Sequence, residues 1–315
     1  MNQNGRKIVV VGTGYVGATI SYSLVVRNLV NELVLIDINE QKALGEAVDI
    51  SHAAPVFGSS TVRSGSYEDV KDSDIIIITA GVNRKPGETR LDLAGKNVGI
   101  IKGIVDDIMK HYNGGIIIIV SNPVDVLTTL VQKWTGLPPE KVIGSGTSLD
   151  TVRLRQTLFN LYNVDVRNIH ALMIGEHGET QFPFWSGAFI GSVPLAKYPK
   201  KDGTYLTEDE MEQITEEVAK SGAFIIKNKG ATYFGVASAV SEIVDAICGC
   251  KNKIIPVSMK KDEVCGFKDV ALSVPRIIGK QGVVADVPVV LTADEEAKMK
   301  KSAENIYSIL KEFNN

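Results

Sequence analysis

Cysteine and histidine are scarce in this chain, and their scarcity excludes two classes of protein. The 315 residues include three cysteines and four histidines. Cys248, Cys250 and Cys265 lack the further Cys or His ligands, at suitable spacing, that a structural zinc site requires. An odd number of cysteines also does not suit the disulfide framework of a small secreted protein. We therefore expect reduced thiols and no bound metal.

An excess of charge of either sign is also missing, as are long hydrophobic runs. Lys and Arg number 34 against 37 Asp and Glu, and no basic stripe could attract a nucleic-acid backbone. The longest apolar runs, such as residues 116–120, are far shorter than the ~20 residues of a membrane-spanning helix. The first residues lack the apolar core of a secretory signal. The sequence thus predicts a cytoplasmic protein with no nucleic-acid or membrane partner.

What the first half does contain is a series of short β-branched runs. They cover residues 7–11, 32–36, 74–79 and 115–120 and hold few polar residues. Such runs are typical of strands that are covered on both faces, as in a parallel sheet. A helical pattern over residues 15–28 joins the first two runs into a βαβ unit. We predict an α/β fold with a doubly wound parallel sheet of the Rossmann type.

A glycine-rich turn, GTGYVG, follows the first predicted strand. Gly12 permits the tight turn, Gly14 lets the backbone approach a pyrophosphate, and Gly17 allows close packing of helix on strand. The start of the helix offers free N–H groups to the phosphates. Asp37 ends the second strand, where it would bind the adenosine ribose and repel a 2′-phosphate. This pattern predicts NAD rather than NADP, although flavin nucleotides bind to the same fingerprint.

The second half of the chain changes character near Gly146. Predicted helices and strand-like pieces are residues 149–162, 207–229 and 294–313, and residues 170–174 and 269–274. We predict a Rossmann domain over 1–146, followed by an α+β catalytic domain over 147–315. Because no Pro- or Ser-rich linker separates them, the two halves should pack closely, with the site where they meet.

Three polar residues of the second half could form a catalytic cluster. His177 lies in a glycine-flanked break, IGEHG, after an apolar strand. Asp150 and Arg153 are three residues apart, so they share one face of a predicted helix. An imidazole can move a proton, and a guanidinium can bind a carboxylate in a two-bond fork. The alternatives are a structural histidine and a surface ion pair.

Six motifs in order resemble the lactate/malate dehydrogenase family, and together they span essentially the whole chain. They are GTGYVG, TAGVNRKPGETRLDL (79–93), SNPVD (121–125), GSGTSLDTVRLR (144–155), IGEHGETQFPFWS (174–186) and KGATYFG (229–235). The resemblance implies hydride transfer between NAD and a small 2-hydroxy acid. The substrate pair would be pyruvate and L-lactate, or alternatively oxaloacetate and malate.

The resemblance also implies roles for individual residues. His177 would be the general acid/base, Asp150 would orient it, and Arg153 would bind the substrate carboxylate. Arg90 would polarise the substrate carbonyl from a closing loop, unless it is only a solvated loop charge. Further residues implied are Arg84, Asn122 and Thr232 for the substrate, and Val16, Gly81, Val120, Asn122 and Ser145 for the cofactor.

One residue, Arg84, distinguishes the two hypotheses about the substrate, pyruvate and oxaloacetate. In malate enzymes of the family an arginine at this position pairs with the second carboxylate, whereas with pyruvate it would lack that partner. Glu88 could neutralise Arg84, and both IGEHG and Thr232 resemble the lactate pattern. We therefore favour pyruvate and L-lactate, with malate dehydrogenase as the alternative. A catalytically silent NAD-binding protein is a third hypothesis from another class.

A second pair of residues indicates regulation. Arg155 projects from a different helix face than Arg153, and His170 begins the strand that leads to His177. The pair resembles the residues with which allosteric bacterial members of the family bind fructose 1,6-bisphosphate between subunits. The resemblance therefore implies activation by this sugar phosphate and a homotetramer. The alternative is a surface arginine and a core histidine.

Overall fold

Parallel strands alternate with helices through the first half of the computed structural model, which describes residues 6–82 and 90–313, with only the backbone of Arg90. The strands are β1 (Lys7–Val11), β2 (Glu32–Ile36), β3 (Thr61–Ser64), β4 (Ile75–Ile78), β5 (Ile116–Ile119) and β6 (Val142–Gly144). The helices are α1 (Tyr15–Val26), α2 (Glu40–Phe57), α3 (Arg90–Met109) and α4 (Val124–Thr135). The four predicted strands correspond to β1, β2, β4 and β5 and the predicted helix to α1, whereas β3 and β6 were not predicted.

The six strands form a parallel sheet in the order β3-β2-β1-β4-β5-β6. β1 pairs with both β2 and β4, so β2 and β3 lie on one side of β1, and β4, β5 and β6 lie on the other. Ile8 and Val10 of β1 pack into one core, whereas Val9 and Val11 pack into another. Both faces are therefore covered, which explains the continuous apolar runs. The predicted doubly wound sheet is confirmed.

The second half supplies four long helices and shorter strands. The helices are α5 (Ser148–Tyr162), α6 (Glu208–Lys229), α7 (Phe234–Cys248) and α8 (Ala293–Lys311). The strands are β7 (Ile169–His170), β8 (Met173–Ile174), β9 (Phe182–Pro183), β10 (Phe189–Ile190), β11 (Val193–Pro194), β12 (Lys253–Val264), β13 (Phe267–Gly279) and β14 (Gly282–Asp286). Short 3-10 turns cover Tyr67–Val70, Pro139–Lys141, Val166–Asn168, Trp185–Gly187 and Leu195–Lys197.

Two predicted strands have different extents in the structure. Residues 170–174 are divided between β7 and β8, which belong to different small sheets. Residues 269–274 are the middle of β13, whose long antiparallel pairing with β12 extends it at both ends. The pairing with β12 extends β13 into residues that the apolar pattern alone did not identify as a strand.

The strands β12, β13 and β14 continue the Rossmann sheet past β6, through the pairing of Ser258 with Gly144. The central sheet is thus built from both halves of the chain. The predicted division near Gly146 falls between β6 and α5, and it remains a prediction. Within the described ranges, every helix is too short or too polar to cross a membrane.

Candidate active site

The carboxyl ends of β1, β4, β5 and β6 meet at one edge of the sheet, and the glycine-rich turn lies there. Gly12 has φ of 99°, and a Cβ at this position would lie 2.6 Å from the Ala80 nitrogen. A Cβ on Gly17 would lie 1.9 Å from the Gly12 carbonyl oxygen. Both positions therefore exclude a side chain, because the turn after β1 lies against Ala80 and α1 packs closely against the turn itself.

The surroundings of Gly14 differ, and they test whether a dinucleotide fits. A Cβ built on Gly14 has no described heavy atom within 4 Å, so the backbone is accessible there. Gly14 is also the N-cap of α1, and no described side chain caps the helix. The first N–H groups of α1 are therefore available to an anion, as a pyrophosphate requires.

Asp37 lies beside this turn and is held there by hydrogen bonds. Its Oδ2 accepts bonds from the Thr13 N–H at 2.6 Å and the Thr13 hydroxyl at 3.0 Å, and its Oδ1 accepts one from the Asn39 N–H at 2.9 Å. Burial opposes ionisation, but the Thr13 and Asn39 bonds outweigh it and lower the pKa of Asp37. An ionised carboxylate in this place suits the ribose hydroxyls of NAD.

The residues predicted to lie near the nicotinamide follow neighbouring strands. Val120 and Asn122 follow β5, and the Ser145 N–H, after β6, donates to the Ile119 carbonyl at 2.8 Å. Gly81 follows β4 with φ of 151°, and Val16 lies in the first turn of α1. The structure thus brings these five positions to the same edge of the sheet, and their contacts with NAD remain a prediction.

Asn97 is a buried residue for which we predicted no role. Its Nδ2 donates to the Asn122 carbonyl at 2.7 Å, and its Oδ1 accepts from the Val82 N–H at 2.8 Å. Asn97 therefore ties the start of the loop after β4 to the turn after β5. Asn97 lies four residues after the TAGVNRKPGETRLDL motif (79–93), so the motif itself gave no signal for it.

The predicted catalytic cluster is assembled in the structure. The Nδ1 atom of His177 lies 2.6 Å from Oδ2 of Asp150, and Nη1 of Arg153 donates to Oδ1 of Asp150 at 3.0 Å. Asp150 is fully buried, whereas the side chains of His177 and Arg153 are 23% and 15% exposed. One carboxylate therefore joins the imidazole to the guanidinium.

Local hydrogen bonds hold α5 against the strand that precedes His177. The Thr147 hydroxyl donates to the Met173 carbonyl at 2.6 Å, and the Met173 N–H donates to the Thr151 hydroxyl at 2.9 Å. The first turns of α5, which carry Asp150 and Arg153, are thus fixed relative to β8. This explains how residues 27 positions apart come into contact.

The shared carboxylate controls the charge of the cluster. Burial would raise the pKa of Asp150, but the charge and hydrogen bond of His177 and the charge of Arg153 lower it below its usual value. Burial likewise opposes a charge on His177, yet Asp150 raises the pKa of the imidazole above its usual value. The pair therefore favours an ionised Asp150 beside a protonated His177. The imidazolium is the form in which His177 can act as a general acid.

A cavity of about 760 Å³ opens between α5, α6 and the start of α7. Arg153 and Thr232 both line it, together with apolar side chains such as Leu149 and Phe224. The two residues predicted to bind opposite ends of a small substrate therefore share one space. His177 is not among its lining residues and is joined to it through Asp150 and Arg153.

Two predicted site residues cannot be placed. Arg84 and the neighbouring Glu88 lie outside the described residues, so their predicted relation is untested. Arg90 begins α3, and its side chain also lies outside the described part of the chain.

The two proposed effector residues, Arg155 and His170, are linked through the end of β7. The Arg155 guanidinium donates through Nε to the Ala171 carbonyl at 3.0 Å, and burial lowers the pKa of Arg155. His170, the residue before Ala171, is exposed on β7. Arg155 thus contacts the residue next to His170, and the binding of a sugar phosphate by the two residues remains a prediction.

A dinucleotide-binding turn on a Rossmann sheet, next to a His–Asp–Arg cluster, defines this protein's class as the NAD-dependent oxidoreductases. The family model for the lactate/malate dehydrogenase NAD binding domain matches residues 6–144, and that for the alpha/beta C-terminal domain matches residues 147–315. The chain therefore belongs to the lactate/malate dehydrogenase family. The predictions of this family and of NAD as cofactor are confirmed.

Curated relatives and solved structures agree with this placement. The L-lactate dehydrogenase of Priestia megaterium is 45% identical, with 98% of this chain and 95% of the relative covered. That of Acetivibrio thermocellus is 43% identical, with 99% of both chains covered. A solved lactate dehydrogenase from a deep-sea metagenome library is 39% identical, with a TM-score of 0.93, over 98% of this chain and 99% of that one. The structure of L-lactate dehydrogenase from Clostridium thermocellum is 42% identical with a TM-score of 0.86, over 98% and 100%.

Proposed function

We propose that this protein is an NAD-dependent L-lactate dehydrogenase, which interconverts pyruvate and L-lactate. The observation that carries the proposal is the Asp150 carboxylate, which contacts the His177 imidazole and the Arg153 guanidinium at once. A proton donor and a carboxylate-binding group are thereby held at a fixed separation, as a 2-keto acid requires. The names of the relatives favour pyruvate over oxaloacetate.

Each residue of the site then has a chemical task. NADH, when bound, supplies the hydride; the start of α1 and Asp37 would hold its pyrophosphate and ribose. Nδ1 of His177 is engaged by Asp150, so Nε2 is the nitrogen that donates a proton to the keto oxygen. Arg153 binds the substrate carboxylate in a fork, and Thr232 limits the space for its methyl group. Arg90 would polarise the carbonyl, and Asn122 would donate to the substrate oxygen.

We also propose a homotetramer in the cytoplasm that fructose 1,6-bisphosphate activates through Arg155 and His170. The proximity of these two residues beside Ala171 supports this part of the proposal. Two cationic groups from each of two subunits would suit a ligand with two phosphates.

A paired NADH-oxidation assay tests the proposed function. Purified protein is given pyruvate or oxaloacetate, each with and without fructose 1,6-bisphosphate. We expect kcat/KM to favour pyruvate, and the sugar phosphate to increase the rate at low pyruvate. A kcat/KM that favours oxaloacetate would instead identify a malate dehydrogenase and assign Arg84 to the second carboxylate. No turnover with either keto acid would support a silent NAD-binding protein.

The pH dependence of the two directions follows from the state of His177. Burial opposes its charge, but Asp150 raises the pKa of the imidazole, so the acid form persists to higher pH than for a free histidine. We expect kcat/KM for pyruvate to be highest below this pKa and to fall as pH rises through it, whereas lactate oxidation rises over the same range. In Asp150→Asn the fall should move to lower pH, because the charge that favours imidazolium is removed. A profile that Asp150→Asn leaves in place would contradict this assignment.

A further inference from the structure

Two further buried carboxylates, besides Asp150, lie close to His177. Asp125, in the first turn of α4, is 2% exposed, and Glu176, next to His177 in the chain, is 5% exposed. Oδ2 of Asp125 accepts a hydrogen bond from the His177 N–H at 2.7 Å. The backbone of His177 is thus held by α4, while its ring is held by α5.

Glu176 is bound by helix α8. Nδ2 of Asn305, in α8, donates to Oε2 of Glu176 at 2.6 Å, and the Thr180 hydroxyl donates to the same oxygen. The Ser302 hydroxyl, one turn earlier in α8, donates to the Thr180 carbonyl at 2.8 Å. The segment around His177 is therefore attached to an element more than 120 residues further along the chain.

We propose, building on the function proposed above, that Asp125 and Glu176 are positioning residues for the catalytic His177. Asp125 orients the imidazole through its bond to the His177 N–H. Glu176 fixes the segment around His177 to α8 through its hydrogen bond from Asn305. Neither acid touches the cavity lined by Arg153 and Thr232, so their effect should appear in kcat and in the pH profile rather than in KM.

The charge of Asp125 also acts on His177. Asp125 interacts electrostatically with Glu176 and His177 of the loop and with Arg276 of β13. The ring of His177 also interacts with Asp150 and Arg153 of α5. Burial raises the pKa of Asp125 to about 6. Above this pH its negative charge adds to that of Asp150 and favours the imidazolium form. Asp125 therefore both places the general acid and helps to keep it protonated.

The variant Asp125→Asn separates these two effects, because its amide oxygen can still accept the His177 N–H. We expect the fall in kcat/KM for pyruvate with rising pH to move to lower pH, with little change in KM. In Asp125→Ala, which also loses the main-chain bond, kcat should fall about 10- to 100-fold, the usual cost of a small misplacement of a catalytic group. Asp245→Asn is the matched control, since this buried acid of α7 bonds to Lys251 and Lys253 instead. It should leave the pH profile unchanged.

The contribution of α8 is tested by Asn305→Ala, with the exposed neighbour Glu304→Ala as control. We expect kcat to fall about tenfold in Asn305→Ala alone. Thermal unfolding of each variant identifies any loss of folded protein. If the wild type is active but Asp125→Asn keeps its pH profile and Asn305→Ala keeps its kcat, this inference is wrong. A wild type inactive with both keto acids would overturn the proposed function and this inference with it.

Discussion

Replacing His177 by glutamine is expected to lower kcat for pyruvate reduction by about 10²- to 10⁴-fold, the usual contribution of a positioned general acid. The glutamine amide can still donate to Asp150, so the buried carboxylate keeps a partner. It has no proton to release near neutral pH, so the keto oxygen must take its proton from water. Stopped-flow measurement of NADH oxidation under saturating pyruvate would give the loss.

Binding of the cofactor should survive this substitution, because the glycine-rich turn and Asp37 belong to other elements. A fluorescence titration with NADH should therefore give the same Kd for His177→Gln and the wild type. His111→Gln is a suitable control, since His111 follows α3 and takes no part in the cluster. If His177→Gln retained wild-type turnover, the general acid would have to be sought elsewhere.

Arg153→Lys should produce the second large effect, a loss of roughly 10- to 150-fold in kcat/KM for pyruvate. The positive charge is kept, but an ammonium group cannot form the two parallel bonds of a guanidinium fork. One charge-assisted hydrogen bond contributes about 1.5–3 kcal/mol, which corresponds to this range. Steady-state kinetics over a wide range of pyruvate concentrations would measure it.

The control for this variant is Arg167→Lys. Arg167 also forms an ion pair, with Asp165, but its side chain is 86% exposed and lies outside the cluster. Exposed pairs contribute little to stability, so activity and Tm should hardly change. Equal losses in both variants would mean that the arginine-to-lysine exchange acts through folding and not through the substrate carboxylate.

Several parts of the site could be predicted because their signals are local. The run KIVVV, the turn GTGYVG and the acid at position 37 are neighbours in the chain, and the structure places β1, the turn and Asp37 as expected. The spacing of Asp150 and Arg153 likewise follows from one helical turn. Local backbone preferences and the pattern of apolar residues contain this information.

Asp125, Glu176 and Asn305 could not be assigned in the same way. Each lies in or near a segment that the sequence identified, but no spacing rule connects α4, the His177 loop and α8. The strands β12 and β14 were missed for a related reason. β12 joins the sheet by pairing Ser258 with Gly144, which is far away in the chain, and β14 joins it only through β13.

The sequence by itself determined the alternation of strands and helices, the dinucleotide turn and the residue types of the chemistry. Periodicity and turn propensity act over a few residues, and a hydrophobic strand is recognisable wherever it is packed. The tertiary structure decided that one buried carboxylate joins imidazole to guanidinium, that α4 binds the backbone of His177, and that α8 binds the neighbouring Glu176. Those contacts join residues 3 to 129 positions apart, and only the packing of the helices around the sheet brings the distant ones within hydrogen-bonding distance.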